Sequence, residues 1–133
     1  MIKYLLDTNI CIYIIKKSPS KVFKKLKTFS IGDIGISSIT YCELQFGVAN
    51  SASVEKNQNA LNEFLAPIEV LDFPSDAAIL FGDVKAFLKK QETPIGPLDL
   101  LIGTHALFLN VPVITNNVKE FSRIPHLKVK NWA

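Results

Sequence analysis

The stretch Ile2-Lys3-Tyr4-Leu5-Leu6-Asp7-Thr8-Asn9 places an apolar run directly before an acid and a group of helix-capping side chains. A short apolar run bounded by such residues is typical of a buried strand. Asp, Thr and Asn are all preferred at helix N-caps. We therefore predict a strand over residues 2–6 followed by a helix over residues 10–17.

The alternation of strands and helices continues along the chain. Short apolar or alternating runs predict strands over residues 34–36, 68–73, 111–115 and 127–130, the last at a sheet edge. Capping residues and helical spacing predict helices over 19–29 (with Ser18 as N-cap), 39–49, 54–66 and 98–109, and a long helix that begins at Pro74-Ser75-Asp76. This order predicts a single α/β domain over residues 1–133, with a mostly parallel central sheet flanked by helices.

The composition excludes several broad classes of protein. Hydrophobic residues make up 48% of the 133 residues and charged residues 20%, which is typical of a globular domain and not of a disordered chain. No apolar run approaches the roughly 18 residues of a membrane span, and Asp7 interrupts the start where a signal peptide is still apolar. We expect a cytoplasmic protein, with Cys11 and Cys42 as reduced thiols packed in its core.

Positive charge is concentrated near the start of the chain. The net charge is only +3, but six lysines fall within twelve residues: Lys16, Lys17, Lys21, Lys24, Lys25 and Lys27. The chain has a single arginine, Arg123, so phosphate attraction is favoured over bidentate base recognition. The charge permits a nucleic-acid partner, although a solvated helix face accounts for most of these lysines.

Three acids occupy positions where an apolar or neutral residue is expected. Asp7 ends the first buried strand, Glu43 lies on a predicted apolar stripe with Phe46 and Gly47, and Asp99 lies on an almost entirely apolar helix. Each has an ordinary structural explanation. Asp7 is a suitable N-cap, Glu43 fits the edge of a helix face, and Asp99 fits the first turn of a helix, where the dipole favours acids.

Taken together, the three acids favour a metal site. In open α/β sheets, ligands bind at the carboxyl ends of the strands, and carboxylates gathered there repel one another unless a cation joins them. An all-oxygen set selects Mg²⁺ or Mn²⁺. Asn117 and Glu120 follow the 111–115 strand and are candidates to orient water or contact metal, whereas a polar turn explains them equally well.

The two histidines add no metal ligand. His105 lies on the apolar helix, six residues from Asp99, and is expected to be a hydrogen-bonded core histidine. His126 is assigned no role. No Walker motif or Gly-x-Gly-x-x-Gly sequence occurs, so a phosphate-binding loop of those kinds is excluded.

An ordered set of motifs across the chain resembles the PIN domain, and more closely the VapC toxins of bacterial VapBC toxin–antitoxin systems. The motifs are Leu6-Asp7-Thr8-Asn9, Thr40-Tyr41-Cys42-Glu43-Leu44, Pro94-Ile95-Gly96-Pro97-Leu98-Asp99, Thr115-Asn116-Asn117 with Glu120-Phe121, and Val129-Lys130-Asn131-Trp132. The resemblance implies a PIN-like three-layer sandwich. It also implies a Mg²⁺- or Mn²⁺-dependent endoribonuclease with metal at Asp7, Glu43 and Asp99.

The resemblance further implies partners and a substrate. VapC-like toxins form homodimers and are inhibited by a cognate VapB-like antitoxin, whose docking we expect on the first two helices. Members of the most similar subgroup cleave initiator tRNA in its anticodon loop. Asn117 stands where the family often has aspartate, which leaves open whether one or two ions bind. Gly103 stands where alanine is frequent, a change that should still pack.

Other classes fit the motifs less well. A response-regulator receiver requires paired acids after the first strand and a lysine after the last core strand, where this chain has Asp7 alone and Asn116-Asn117. A haloacid-dehalogenase-type phosphatase requires a second aspartate where Asn9 stands. The remaining alternative is a non-catalytic PIN-like RNA-binding or interaction module.

Overall fold

One parallel sheet organises the computed structural model, which describes residues 1–133. Its strands are β1 (Tyr4–Leu6), β2 (Ile34–Ser37), β3 (Glu69–Leu71), β4 (Val113–Ile114) and β5 (Val129–Lys130). They lie in the order β3-β2-β1-β4-β5, and every neighbouring pair is parallel. The predicted α/β class with a mostly parallel sheet and an edge strand at the end is confirmed.

Seven helices connect and cover the strands. They are α1 (Thr8–Lys16), α2 (Ser20–Leu26), α3 (Ser38–Ala49), α4 (Val54–Leu65), α5 (Ala78–Lys90), α6 (Pro97–Leu109) and α7 (Val118–Phe121). A 3₁₀ turn over Ser75–Ala77 precedes α5. None of these helices is both long and apolar enough to cross a lipid bilayer.

The central strands are buried on both faces, which produces three layers. Leu6 of β1 packs in a cluster with residues of α1, α2, α3 and α4, whereas its neighbour Leu5 packs in a second cluster with residues of α6 and α7. Successive side chains of a strand point to opposite faces of the sheet, so an apolar pair at this position requires cover on both sides.

The strand order reverses beside β1. The chain runs outward from β1 through β2 to β3, then crosses back and adds β4 and β5 on the other side of β1. The carboxyl ends of β1 and β4 therefore lie side by side at the switch point, which is the position where open α/β sheets bind their ligands. Asp7 follows β1 there, and Thr115 follows β4.

Several predicted boundaries differ from the structure. The helix after Ser18 starts at Ser20 with Pro19 as N-cap and ends at Leu26, because residues 27–29 form a turn in which Thr28 donates its hydroxyl to the Lys25 carbonyl. The 68–73 strand shortens to Glu69–Leu71, the three residues that pair with β2.

The prediction that both cysteines lie in the core is wrong for Cys42. Cys11 is buried, but Cys42 is exposed. The buried line of α3 consists of Thr40, Leu44 and Val48, four residues apart, and this spacing turns position 42 away from the core.

Candidate active site

Asp7 is fixed at the end of β1 by two hydrogen bonds. The backbone N–H of Thr8 donates to Oδ1 at 2.7 Å, and the Thr115 hydroxyl donates to Oδ2 at 2.8 Å. The side chain is only 3% exposed, and this burial raises its pKa, partly offset by the two hydrogen bonds. Asp7 is also the N-cap of α1, so the capping interpretation is confirmed and is compatible with a place in the acidic cluster.

Thr8 joins the first acid to the second. Its hydroxyl donates to Oε1 of Glu43 at 2.6 Å, while its backbone N–H holds Asp7. Glu43 is half-buried on α3, at the border of the buried line and not on an apolar stripe. The predicted stripe with Phe46 and Gly47 is wrong, because Phe46 is 68% exposed and nothing lies within 4 Å of a Cβ placed on Gly47.

Asp99 lies in the first turn of α6 and faces the other acids. Burial raises its pKa to about 6, and the negative charges of Asp7, Glu120 and Glu43 act in the same direction. The Pro97 at the start of α6 is pre-organised for that helix position, and it places Asp99 where the helix dipole favours an acid. The dipole explanation and convergence with the other acids are therefore compatible.

Glu120 of α7, the short helix after β4, completes the group. The Gly96 backbone N–H donates to its Oε1 at 2.8 Å, and the Asn117 side-chain amide donates to its Oε2 at 2.7 Å. These two hydrogen bonds lower the pKa of Glu120. A Cβ placed on Gly96 would lie 3.8 Å from Glu120 Oε1 and 4.0 Å from Asp99 Oδ2, so the two carboxylates approach the same glycine.

Asn117 connects the two halves of the site. Its backbone N–H donates to the Thr115 hydroxyl at 3.0 Å, and that hydroxyl in turn donates to Asp7. Its side chain meanwhile holds Glu120. The structure thus brings all five predicted site residues to one end of the sheet: Asp7, Glu43, Asp99, Asn117 and Glu120.

The donor set fits a divalent cation bound partly through water. No lysine or arginine nitrogen lies within 4.0 Å of a carboxylate oxygen of the site. The one ion pair of this kind in the structure joins Lys3 to Asp33. As placed, no three His, Cys, Asp or Glu side chains surround a single point closely enough to hold an ion together. Mg²⁺ typically takes one or two carboxylates and keeps several waters, so this arrangement suits it better than an all-protein cage.

Two threonines belong to the site although the sequence did not predict them as site residues. The sequence predicts Thr8 as a capping residue and Thr115 as the end of the 111–115 strand, whereas their hydroxyls orient Glu43 and Asp7. The sequence signal for each is a threonine at the end of a strand. Thr8 directly follows the acid that ends β1, and Thr115 follows β4, the strand beside β1. Short polar side chains are common at such positions for local reasons, so the signal is weak by itself.

His105 is a core residue, as predicted. Its ring is buried, Nδ1 lies 2.8 Å from the Ser37 hydroxyl, and Phe73 packs against it edge-on. Burial lowers its pKa, so the ring is neutral at pH 7. It contributes no charge to the carboxylate site.

Comparisons with known proteins match nearly the whole chain. The PIN domain family model matches residues 4–127. Ribonuclease VapC2 of Rickettsia felis is 42% identical over 97% of each chain, and the tRNA(fMet)-specific endonuclease VapC of Salmonella typhimurium is 39% identical over the full length of both. The solved structure of VapBC2 from Rickettsia felis, bound to a DNA fragment from its promoter, superposes with a TM-score of 0.93, 41% identity and full coverage of both chains.

Proposed function

This chain belongs to the PIN domain family and, within it, to the VapC ribonucleases, and from that premise we propose that it is a divalent-metal-dependent endoribonuclease toxin. The observation that supports metal dependence is the group of four carboxylates at the switch point. Burial, together with the charges of the other three acids, raises the pKa of Asp99 to about 6. Carboxylates in this arrangement are stabilised as anions by a cation among them.

Asp7 and Asp99 would hold the Mg²⁺ or Mn²⁺, and Glu43 would bind it or orient the attacking water. The bound cation would supply an activated water and neutralise charge on the phosphoryl group in the transition state. Hydrogen bonds from Thr115 and the Thr8 backbone favour the ionised form of Asp7 and fix its direction, and the Thr8 hydroxyl fixes Glu43. Asn117 and Gly96 hold Glu120 at the rim, where it can contact water.

The reaction is hydrolysis of an RNA phosphodiester. The water oxygen bonds to phosphorus in line with the P–O3′ bond, which breaks as a proton reaches the leaving 3′-oxygen. The products are a 5′-phosphate and a 3′-hydroxyl. The similar VapC of Salmonella typhimurium is named as specific for tRNA(fMet), and we assign the same initiator tRNA to this chain. An unpaired anticodon loop suits a recessed site, because its backbone can be splayed away from a helix.

A VapB-like antitoxin is the partner we propose. The solved relatives include VapBC complexes, and an apolar groove of about 330 Å³ between α1, α3 and α4 runs alongside Glu43. Ile12 and Ile15 of α1 and Gly47 of α3 line it, whereas α2 contributes no residue to it. An antitoxin segment seated there would cover the active site from the Glu43 side.

The groove assignment is tested by filling it. A Gly47→Trp variant should cleave RNA normally but escape inhibition by the antitoxin, because nothing lies within 4 Å of a Cβ at that position. Gly82→Trp on α5 is the matched control, since a Cβ there also meets nothing within 4 Å. Full inhibition of the Gly47→Trp variant would refute the assignment. Loss of the expected homodimer would instead assign the groove to a second copy.

The nuclease function is tested with purified chain freed of any partner. Total tRNA is incubated with Mg²⁺, Mn²⁺ or EDTA, beside Asp7→Asn and the exposed-acid control Asp83→Asn. We expect discrete fragments from the wild type and Asp83→Asn with either metal, and none from Asp7→Asn or in EDTA. Binding of RNA without cleavage under any metal would favour the non-catalytic module.

A further inference from the structure

A second concave site lies on the sheet face that α1 and α2 cover. Tyr4, Phe29 and Trp132 form its floor, and Lys21, Lys25 and Lys130 line it; its volume is about 580 Å³. We call it the lysine cleft. It shares no residue with the carboxylate site or with the apolar groove.

The floor of the lysine cleft is a cluster of three aromatic rings in contact. The Phe29 and Trp132 rings stack with centroids 5.1 Å apart and planes 11° from parallel. Tyr4 packs against both, with centroid distances of 5.0 Å to Phe29 and 5.8 Å to Trp132. The three rings therefore form one packed aromatic surface, and the lysines of α2 and β5 lie around it.

The lysines of the cleft have no acidic partner. Lys25 Nζ lies 5.7 Å from the centroid of Phe29, and Lys130 Nζ lies 5.4 Å from the centroid of Tyr4. No carboxylate lies within 4.0 Å of Lys21, Lys25 or Lys130. Cation–π contacts attract the ammonium groups without using up their hydrogen-bond donors. Three positive charges therefore surround one cavity with their donors available to an anion.

The active site itself cannot attract RNA. Four carboxylates surround it, and each repels the phosphates of the substrate until metal is bound. The chain nevertheless carries a net charge of +3, so its positive charge lies elsewhere on the surface. Phosphate neutralisation by lysine supplies most non-specific affinity for nucleic acids. A ribonuclease of this kind needs such a surface near its site.

The lysine cleft lies close enough to serve that purpose. Tyr4 precedes Asp7 by three residues along β1, which corresponds to about 10 Å in an extended strand. On the other side, the Lys130 carbonyl accepts the Thr115 backbone N–H at 2.9 Å, and the Thr115 hydroxyl holds Asp7. A separation of this size is within the length of a few nucleotides of RNA.

We propose that the lysine cleft binds the phosphate backbone of the RNA substrate beside the scissile bond. This inference rests on the proposed ribonuclease function and names the surface that gives it affinity. Lysine ammonium groups act as point charges and do not read base edges. The cleft therefore contributes binding without contributing to the choice of sequence.

The test removes the three charges together. Binding of labelled initiator tRNA is measured in EDTA over a range of salt concentrations for Lys21→Gln/Lys25→Gln/Lys130→Gln. The matched control, Lys56→Gln/Lys89→Gln/Lys90→Gln, removes three exposed lysines of α4 and α5. We expect the cleft variant to bind about tenfold more weakly, with a log–log salt slope reduced by about 2, and the control to bind within about twofold of the wild type.

Cleavage kinetics supply a second readout. The cleft variant should raise KM with kcat unchanged, and Lys21→Arg/Lys25→Arg/Lys130→Arg should restore KM, because it restores the charge. Equal losses in the cleft variant and the control would overturn the proposal, since net charge alone would then explain them. Unchanged RNA affinity with weakened antitoxin binding would also overturn it and assign the cleft to an acidic protein segment.

Failure of this proposal is distinguishable from failure of the function. If the wild type cleaves tRNA and the cleft variant has the same KM, the cleft assignment alone is wrong. If the wild type neither binds nor cleaves tRNA with metal, the ribonuclease proposal is wrong and the cleft loses its purpose with it.

Discussion

Residue by residue, the four acids differ in how many donors satisfy them. Asp7 and Glu120 each accept two hydrogen bonds from the protein, and Glu43 accepts one from Thr8. Asp99 accepts none, and burial and its acidic neighbours alone set its pKa. Asp99 is therefore the carboxylate with most to gain from a cation.

Replacing Thr115 by valine tests the support of Asp7. The variant keeps the side-chain shape but removes the hydroxyl that donates to Asp7 and accepts from the Asn117 backbone. We expect the Mg²⁺ concentration for half-maximal cleavage to rise about 10- to 100-fold, as is usual when a partner of a metal ligand is lost. Cleavage rate as a function of Mg²⁺ concentration measures it.

Thr104→Val is the matched control for that experiment. Thr104 is also buried, but its hydroxyl bonds only to carbonyls of its own helix, Leu100 and Leu101. An equal shift in both variants would mean that a buried hydroxyl matters for folding and not for Asp7.

Several acids of the site could be predicted from the sequence, because they differ in character from their immediate neighbours in the chain. Asp7 and Asp99 stand out because each interrupts an apolar segment at the end of a strand or the start of a helix. The hydroxyls of Thr8 and Thr115 do not stand out, because their partners come from chain positions 35 and 108 residues away. Contacts of that range depend on the sheet order, which a single sequence does not display.

Among the elements, α6 shows most clearly how packing depends on small residues. Gly103 is buried on the α6 face toward α7, and Ile124 Cδ1 occupies the space where a Cβ of residue 103 would lie. Gly103 therefore leaves no void, because the Ile124 side chain fills the space that a Cβ would take. A methyl group at position 103 requires that Ile124 move.

A double-variant cycle tests this packing. Ile124→Val in the wild type should lower the free energy of unfolding by about 0.5–1.5 kcal/mol, because it deletes a buried methyl group. In the Gly103→Ala background the same change should raise the free energy of unfolding, because it removes the clash. Urea unfolding measures both, and additive effects would contradict the proposed contact.

Helix and strand types were predictable from the sequence, but the face that each presents was less so. The predicted stripe on α3 followed apolarity and selected Phe46, whereas the buried line includes the polar Thr40. Thr40 is buried because its position faces α1, where the Thr8 hydroxyl lies 3.5 Å away. A polar residue at a core position is detectable only after the neighbouring element is placed.

Across the whole molecule, negative and positive charges are separated. Carboxylates gather at the carboxyl ends of β1 and β4, and lysines gather around the cleft formed by α2 and β5. The carboxylate end opposes folding in the absence of metal, because like charges are held together. Protonation of the carboxylates and binding of a divalent cation should therefore each stabilise the folded chain, because both relieve this repulsion.

The pH dependence has a definite sign for Asp99. Between the ordinary value of 3.8 and about 6, the folded chain holds a proton on Asp99 that the unfolded chain has lost. Asp99 therefore makes the free energy of unfolding fall as pH rises through that window, and the stability is highest below it. His105 titrates in the opposite sense, so a comparison that leaves His105 unchanged is required.

Asp99→Asn provides that comparison. In EDTA, the variant should have a higher Tm than the wild type at pH 7.5, and the difference should shrink as pH falls toward 5. Added Mg²⁺ should raise the Tm of the wild type at pH 7.5 and leave that of the variant nearly unchanged. Thermal unfolding followed by circular dichroism measures both. A difference between the two proteins that is independent of pH would contradict the assigned burial and charge.

Binding of Mn²⁺, followed by electron paramagnetic resonance, is the decisive test of a metal site at these carboxylates. Wild type, Asp99→Asn and the exposed-acid control Asp83→Asn are titrated with Mn²⁺ at pH 7.5 in the absence of RNA. We expect saturable Mn²⁺ binding by the wild type and by Asp83→Asn, and at least tenfold weaker Mn²⁺ binding by Asp99→Asn. Equal affinity in all three proteins, or no saturable binding in any of them, would contradict a metal site built on these carboxylates.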